Sequence, residues 1–146
     1  KDQMRFLFSA NKGMPLQEIS KVASGGEISR LMLAIKALLA KHLNLPSLIL
    51  DEIDSGVSGE IAGKMSKILL EISKEIQLIV ITHLPQVAAK ANYHYKVEKF
   101  DNSIKNTTII NLLNENERLD ELAKMLSGET ISIAARENAK ALISNH

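Results

Sequence analysis

The sequence predicts an α/β fold: a largely parallel sheet with flanking helices, then a C-terminal hairpin and two helices. Three observations carry this reading. The short apolar runs Ser47 to Leu50 and Leu78 to Ile81 bracket a stretch whose Ile61, Met65, Ile68, Leu69 and Ile72 recur at helical spacing, which makes a strand-helix-strand unit. A long apolar helical pattern, Glu27 to about Leu43, leads into the first run. Beyond Pro85 a short helix, a hairpin and two further helices can be read.

The elements follow in order. Met4 to Phe8 reads as a short strand, and Asn11 to Pro15 is prone to turn. Ser24-Gly25-Gly26-Glu27 then opens the long helix, in which Ile28, Leu31, Met32, Leu33, Ile35, Leu38 and Leu39 are apolar nearly all round, so the helix is expected to be mostly buried. Asn44 and Pro46 stop it. The next strand ends in the carboxylates Asp51 and Glu52, and the strand after the intervening helix ends just before Thr82-His83. A hairpin from Tyr93 to Leu113 is expected to turn around Asp101-Asn102-Ser103. No internal repeat or low-complexity linker breaks the chain, so residues 1–146 are read as one domain.

Composition bounds the possibilities. A chain of 146 residues buries about two-thirds of its unfolded surface, and 45% hydrophobic residues with only 3% aromatics call for an aliphatic core. With no cysteine, disulfides and thiolate metal sites are excluded. A net charge of +1 gives no broad positive field for phosphate backbones, and the lack of tryptophan argues against a base-stacking platform. No apolar run is long enough to span a bilayer as a helix.

Chemistry concentrates at two places. A glycine pair at the start of a long helix lets N–H groups approach a phosphate, although an isolated SGGE is also a good turn and N-cap. Adjacent carboxylates at the C-terminal end of a buried strand can hold a hydrated Mg²⁺ with Asp51 and orient an attacking water with Glu52; the alternative is a pair of solvated loop acids. Ligands in open α/β sheets lie beyond the strands' C-terminal ends, where Asp51, Glu52 and His83 fall. Asp54-Ser55-Gly56 reads as a turn, and a lone histidine such as His83 reads by itself as structural.

Other chemistries fit less well. No GxxxxGK(S/T) phosphate loop occurs, and Gly59-Glu60-Ile61-Ala62-Gly63-Lys64-Met65 reads as ordinary helix. Gly56-Val57-Ser58-Gly59-Glu60 lacks the last glycine of a GxSxG serine-hydrolase elbow. The histidines at 42, 83, 94 and 146 are scattered and match no zinc spacing. Lys96, Lys99 and Lys105 on the hairpin read as solubilising charges rather than a DNA contact.

The ordered strings Lys21 to Arg30, Asp51 to Gly59 and Thr82 to Ala89 resemble the C-terminal lobe of an ABC-type ATPase head and, more narrowly, the RecN family of SMC-like DNA-repair proteins. The tail from Arg118 to Ile143 is similar to the same family, so the likeness covers essentially the whole chain. The resemblance implies an ATPase of DNA double-strand break repair and recombination, in which two lobes of one head are joined by a long coiled coil and the N-terminal lobe carries the phosphate loop. Starting at Lys1 without a methionine, the chain is expected to be a piece of such a protein, inactive without that lobe.

By the same resemblance, Ser24, Gly25, Gly26 and Glu27 form the signature that contacts ATP held by a second head. Asp51 holds the Mg²⁺ shell, Glu52 polarises the attacking water, Asp54 couples the two sites, and His83 senses the γ-phosphate. The implied partners are a second copy of the head, the chain's own N-terminal lobe and coiled coil, and DNA, in the bacterial cytoplasm near the nucleoid and without a membrane. Two alternatives stand beside it: another ABC-class head, whether SMC-like or a transporter subunit, and a non-catalytic dimerisation or scaffold module. Glu27, where transporters usually carry glutamine, counts against the transporter.

Overall fold

The computed structural model describes residues 6–9, 13, 15–19, 24–51, 53–102, 105–128 and 130–144. The chain folds as two compact units, one of residues 1–58 and 72–81, the other of residues 59–71 and 82–146.

In the first unit, β1 (Leu7–Phe8) and β2 (Gln17–Glu18) form a small antiparallel pair. Helix α1 (Gly25–His42) starts on Ser24 and ends where Leu43 returns its N–H to the Leu39 carbonyl at 2.8 Å. Asn44 then takes a left-handed backbone (φ 50), a conformation asparagine tolerates better than most residues, and the Leu45 N–H closes the end on Ala40 O at 2.9 Å. Strands β3 (Ser47–Asp51) and β4 (Gln77–Ile81) pair in parallel, from Ser47 opposite Gln77 to Asp51 opposite Ile81. An exposed ion pair, Lys41 to Glu75 at 2.9 Å, links the end of α1 to the turn before β4.

Two expectations are corrected here. Helix α1 buries only Gly26, Leu33 and Ala40, while Met32, Leu38 and Leu39 are exposed. In the strand pair Leu50 is fully buried, but Ile49, Ile79 and Ile81, which share the opposite face, are exposed. Apolar composition marks these surfaces as ones that favour cover, and the described residues do not supply it.

In the second unit, helix α2 (Gly59–Ser73) begins in that unit and its last two residues fall in the first. Its buried stripe is Ala62, Met65, Ser66 and Leu69, one position round from the expected one, leaving Ile61 and Ile68 exposed. Small residues define the buried face because they admit close packing, a signal that counting large apolar residues misses. The whole phosphate-loop imitation, Gly59 to Met65, lies within this ordinary helix, as the sequence suggests.

A single helical turn, α3 (Pro85–Ala88), follows, then the antiparallel hairpin β5 (Tyr95–Asn102) and β6 (Lys105–Leu112), in which Asp101 and Asn102, expected in the turn, are instead paired strand residues, opposite Asn106 and Lys105; Ser103 lies outside the described residues. Helices α4 (Glu115–Ser127) and α5 (Ile133–Ser144) end the unit. Its core is alanine-rich: Ala88, Ala89, Leu122, Ala123, Ala135 and Ala139, with Leu119, Leu126 and Leu142 packed against it. Among the described residues, then, the parallel arrangement is confined to β3 and β4, and the other two sheets are antiparallel pairs.

Candidate functional site

The start of α1 is built by its first four residues. Ser24 is extended (φ −67, ψ 159); its Oγ accepts from the Glu27 N–H at 3.4 Å, and the Glu27 carboxylate accepts from the Ser24 N–H at 2.7 Å. This reciprocal capping box is what S-x-x-E before a helix encodes. The bonds to Ser24, backbone first and then side chain, hold the Glu27 carboxyl below the usual carboxylate range. Glu27 is therefore committed to the cap, and its carboxylate shapes the turn.

The two glycines do different work. A Cβ on Gly25 would meet nothing within 4 Å, so this position is open to an approaching group. A Cβ on Gly26 would stand 3.0 Å from the Gly56 carbonyl oxygen and 3.3 Å from an Arg30 guanidinium nitrogen, so this glycine is required by packing. Helix geometry leaves the N–H groups of Gly25 and Gly26 without intrahelical acceptors. The outcome is a rigid, positively polarised helix start with one bare approach.

Gly56 belongs to the loop that follows β3. Asp51 is exposed at the end of that strand, and Glu52 lies outside the described residues. Ile53 and Asp54 are buried, the Val57 N–H closes a turn on the Asp54 carbonyl at 3.0 Å, and Gly56 (φ 70) takes the left-handed backbone this turn needs. The Asp54 side chain is only 1% exposed. Ser55 and Gly56 of the same turn are exposed. The backbone of this loop thus rests directly on the start of α1, joining the glycine motif to the carboxylate strand.

His83 lies in the second unit and is exposed. The Thr82 hydroxyl accepts from the Leu84 N–H at 3.0 Å, and Pro85 opens α3 immediately afterwards. The structure therefore gathers Ser24, Gly25, Gly26, Glu27, Asp51 and Asp54 in one unit and holds His83 in the other. A separate polar groove of about 490 Å³ between the hairpin and α4 contains none of them; there Lys96 reaches Glu98 and Glu121, each at 3.1 Å. The sequence missed Arg30 and Gly56 as packing partners of Gly26, although Gly56 carried a signal in its turn-forming Asp-Ser-Gly.

An exposed carboxylate such as Asp51 suits a hard, hydrated cation, and a bare helix start suits a phosphate. Among the described residues no cluster of three or more His, Cys, Asp or Glu side chains could hold a metal unaided. No helix among the described residues is long and apolar enough to cross a membrane.

No family model matches the chain. It is 46% identical over 142 residues to the DNA repair protein RecN of Rickettsia felis, 42% to that of Vibrio cholerae and 40% to that of Bacillus subtilis. Each alignment covers 97% of this chain and 25–26% of the relative, so the chain spans about a quarter of the length of these proteins. Among solved structures, the SMC head domain of Thermotoga maritima is 31% identical with a TM-score of 0.53, over 70% of this chain and 37% of that one. A structure from work on ATP-driven dimerization and DNA-stimulated activation of SMC ATPases reaches a TM-score of 0.64 at 24% identity, over 81% and 70% of the two chains, a likeness of fold.

Proposed function

Because this chain belongs, over nearly its whole length, to the RecN family of DNA repair proteins and has the fold of an SMC ATPase head, we propose that it is the C-terminal lobe of an ATP-hydrolysing head. In this reading a companion N-terminal lobe supplies the phosphate loop, and ATP joins two heads in a cycle that serves DNA repair in the bacterial cytoplasm. The observation that carries it is the seating of Gly56 against Gly26, which holds a bare, N–H-lined helix start in fixed relation to the loop after a carboxylate-bearing strand.

The chemistry is positioning plus electrostatics. The N–H groups of Gly25 and Gly26 receive a γ-phosphate presented by the opposite head. The Ser24 hydroxyl, already accepting from Glu27, keeps its own proton to donate. Glu27 holds that turn in shape. Asp51 supports the hydrated Mg²⁺, whose charge offsets the phosphates when bound, and Glu52 draws a proton from the attacking water. His83 contacts the γ-phosphate from a separately braced segment. Asp54, buried in its turn, couples the two heads through that turn, whose Gly56 rests on the start of α1 and whose Ser55 is exposed.

The test uses the complete protein, with ATP turnover measured against protein concentration. Turnover per head should rise with concentration, and Glu52→Gln should abolish it while ATP binding persists and the dimer accumulates. Wild-type turnover in Glu52→Gln would sink the general-base assignment, and turnover independent of concentration would sink the two-head arrangement.

A further inference from the structure

The segment that carries His83 is held at both sides by hydrogen bonds. On its N-terminal side the Leu84 N–H donates to the Thr82 hydroxyl at 3.0 Å, so His83 sits within a closed two-residue step. Beyond it, the Leu84 carbonyl accepts from the Val87 and Ala88 N–H groups, both at 3.1 Å, and the Ala89 N–H returns to Pro85 O at 2.9 Å. This turn is short, and four residues of helix do not hold themselves in water.

Its end is secured from elsewhere. Arg118, in the first turn of α4, donates from one guanidinium nitrogen to the carbonyls of Ala89 at 2.7 Å and Ala91 at 2.6 Å. Ala89 is the C-cap residue of α3 and Ala91 lies three residues beyond the helix, so Arg118 holds the exit of the turn, and a cation there also complements the open carbonyls of a helix end. Arg118 is itself fixed, because α4 starts on an Asn114–Glu117 capping box. Ala88 and Ala89 pack into the same alanine-rich core as α4 and α5. A continuous bonded path therefore runs from α4 through residues 91 to 84 to the hydroxyl beside His83. Burial first, and then the Arg118 charge, lowers the pKa of nearby His94, so the guanidinium is felt in this part of the unit.

We propose that Arg118 is a positioning residue for ATP hydrolysis: its grip on the Ala89 and Ala91 carbonyls sets the rotation and height of the α3 turn and so the reach of His83 toward the γ-phosphate. The inference rests on the reading of His83 given above. It makes α4 part of the positioning apparatus, with Arg118 acting only through the α3 turn.

The experiment measures kcat and KM for ATP in the complete protein for Arg118→Ala, Arg118→Lys, His83→Ala and the Arg118→Ala/His83→Ala pair, with amide hydrogen exchange of the Leu84–Ala91 segment. Misplacement of a catalytic group by about 1 Å costs on the order of 100-fold, so Arg118→Ala should lower kcat by roughly 10- to 100-fold with KM changed by less than about twofold. Arg118→Lys, which keeps the charge but ends a shorter reach in a compact, strongly hydrated ammonium without the planar guanidinium's fixed donor directions, should fall between. The double variant should be no slower than His83→Ala, and exchange across Leu84–Ala91 should quicken in Arg118→Lys while α4 and α5 stay protected. Losses that multiply in the double variant, or an unchanged kcat in both Arg118 variants, overturn the inference and leave His83 standing. Wild-type turnover in His83→Ala overturns the reading of the histidine, and the inference with it. If Arg118→Ala does not fold, Arg118→Lys combined with His83→Ala decides by the same comparison.

Discussion

Gly25 and Gly26 stand side by side in the sequence, yet one is open and the other sits against backbone. A methyl group on Gly26 meets the Gly56 carbonyl oxygen at 3.0 Å, and although the Arg30 guanidinium at 3.3 Å can swing aside, the Gly56 backbone cannot. Gly26→Ala should therefore destabilise the chain by about 1–3 kcal/mol, the usual cost of forcing volume into a packed site. Gly25→Ala meets nothing within 4 Å, and alanine favours a helix over glycine by up to about 1 kcal/mol. Its stability should hold or rise while ATP-dependent dimerisation of the complete protein falls, because the new methyl group stands where a phosphate must come. Denaturant unfolding and sedimentation with ATP separate the two effects; equal stabilities would contradict the packing argument. At this scale the residues that build the turn are easier to read from the sequence than the contacts each of them makes. The S-x-x-E cap could be read directly, since its partners lie three residues apart. The pairing of residue 26 with residue 56 could not, because nothing local in a chain records a contact thirty positions away.

Elements were legible where their signals are local. Asn44 and Pro46 ended α1, the strand-helix-strand unit lies where the spacing put it, and the hairpin falls within the stretch read for it, with its strand running on through Asp101 and Asn102. The orientation of the helices was less legible. In α2 the buried stripe runs through Ala62 and Ser66, so hydrophobicity pointed to a neighbouring face. The junction between α4 and α5 gives a test at this scale. Gly128 has φ 80 and ψ −160, a region open essentially to glycine, and its N–H closes the helix on the Lys124 carbonyl at 2.8 Å. Gly128→Ala should cost about 1–3 kcal/mol and speed hydrogen exchange in the last turn of α4, although a Cβ there would meet no atom within 4 Å. A neutral effect would show that the turn relaxes into another conformation without loss.

For the molecule as a whole, the notable departure is how much apolar surface faces outward. Ile49, Ile79 and Ile81 make one bare sheet face. In the hairpin, Tyr95, Val97, Ile110 and Leu112 make another, while the polar side of the same strands, with Lys96 and Glu98, is turned toward α4. Patches of this kind in a soluble domain mark surfaces that other protein covers. The sequence showed the apolar residues and could not show that their cover lies outside them. The isolated chain should therefore self-associate as its concentration rises. Ile49→Thr with Ile110→Thr, which keeps β-branched residues in both strands, should reduce that association in light scattering while leaving the circular dichroism unchanged. Association that persists undiminished would acquit these faces.

The division into two units has a consequence for how the chain can be made or taken apart. The backbone passes from one unit to the other after residue 58, back after 71, and over again after 81. A single cut after residue 81 frees the first unit only with residues 59–71 of the second attached, and no single cut frees the second whole. On a ribosome, the first unit waits for residue 81 before its parallel partner strand exists, and by then a helix of the second has already been synthesised with nothing of its own unit to follow it. Release by limited proteolysis, and piecewise expression of one unit at a time, should both yield fragments that cannot complete a fold.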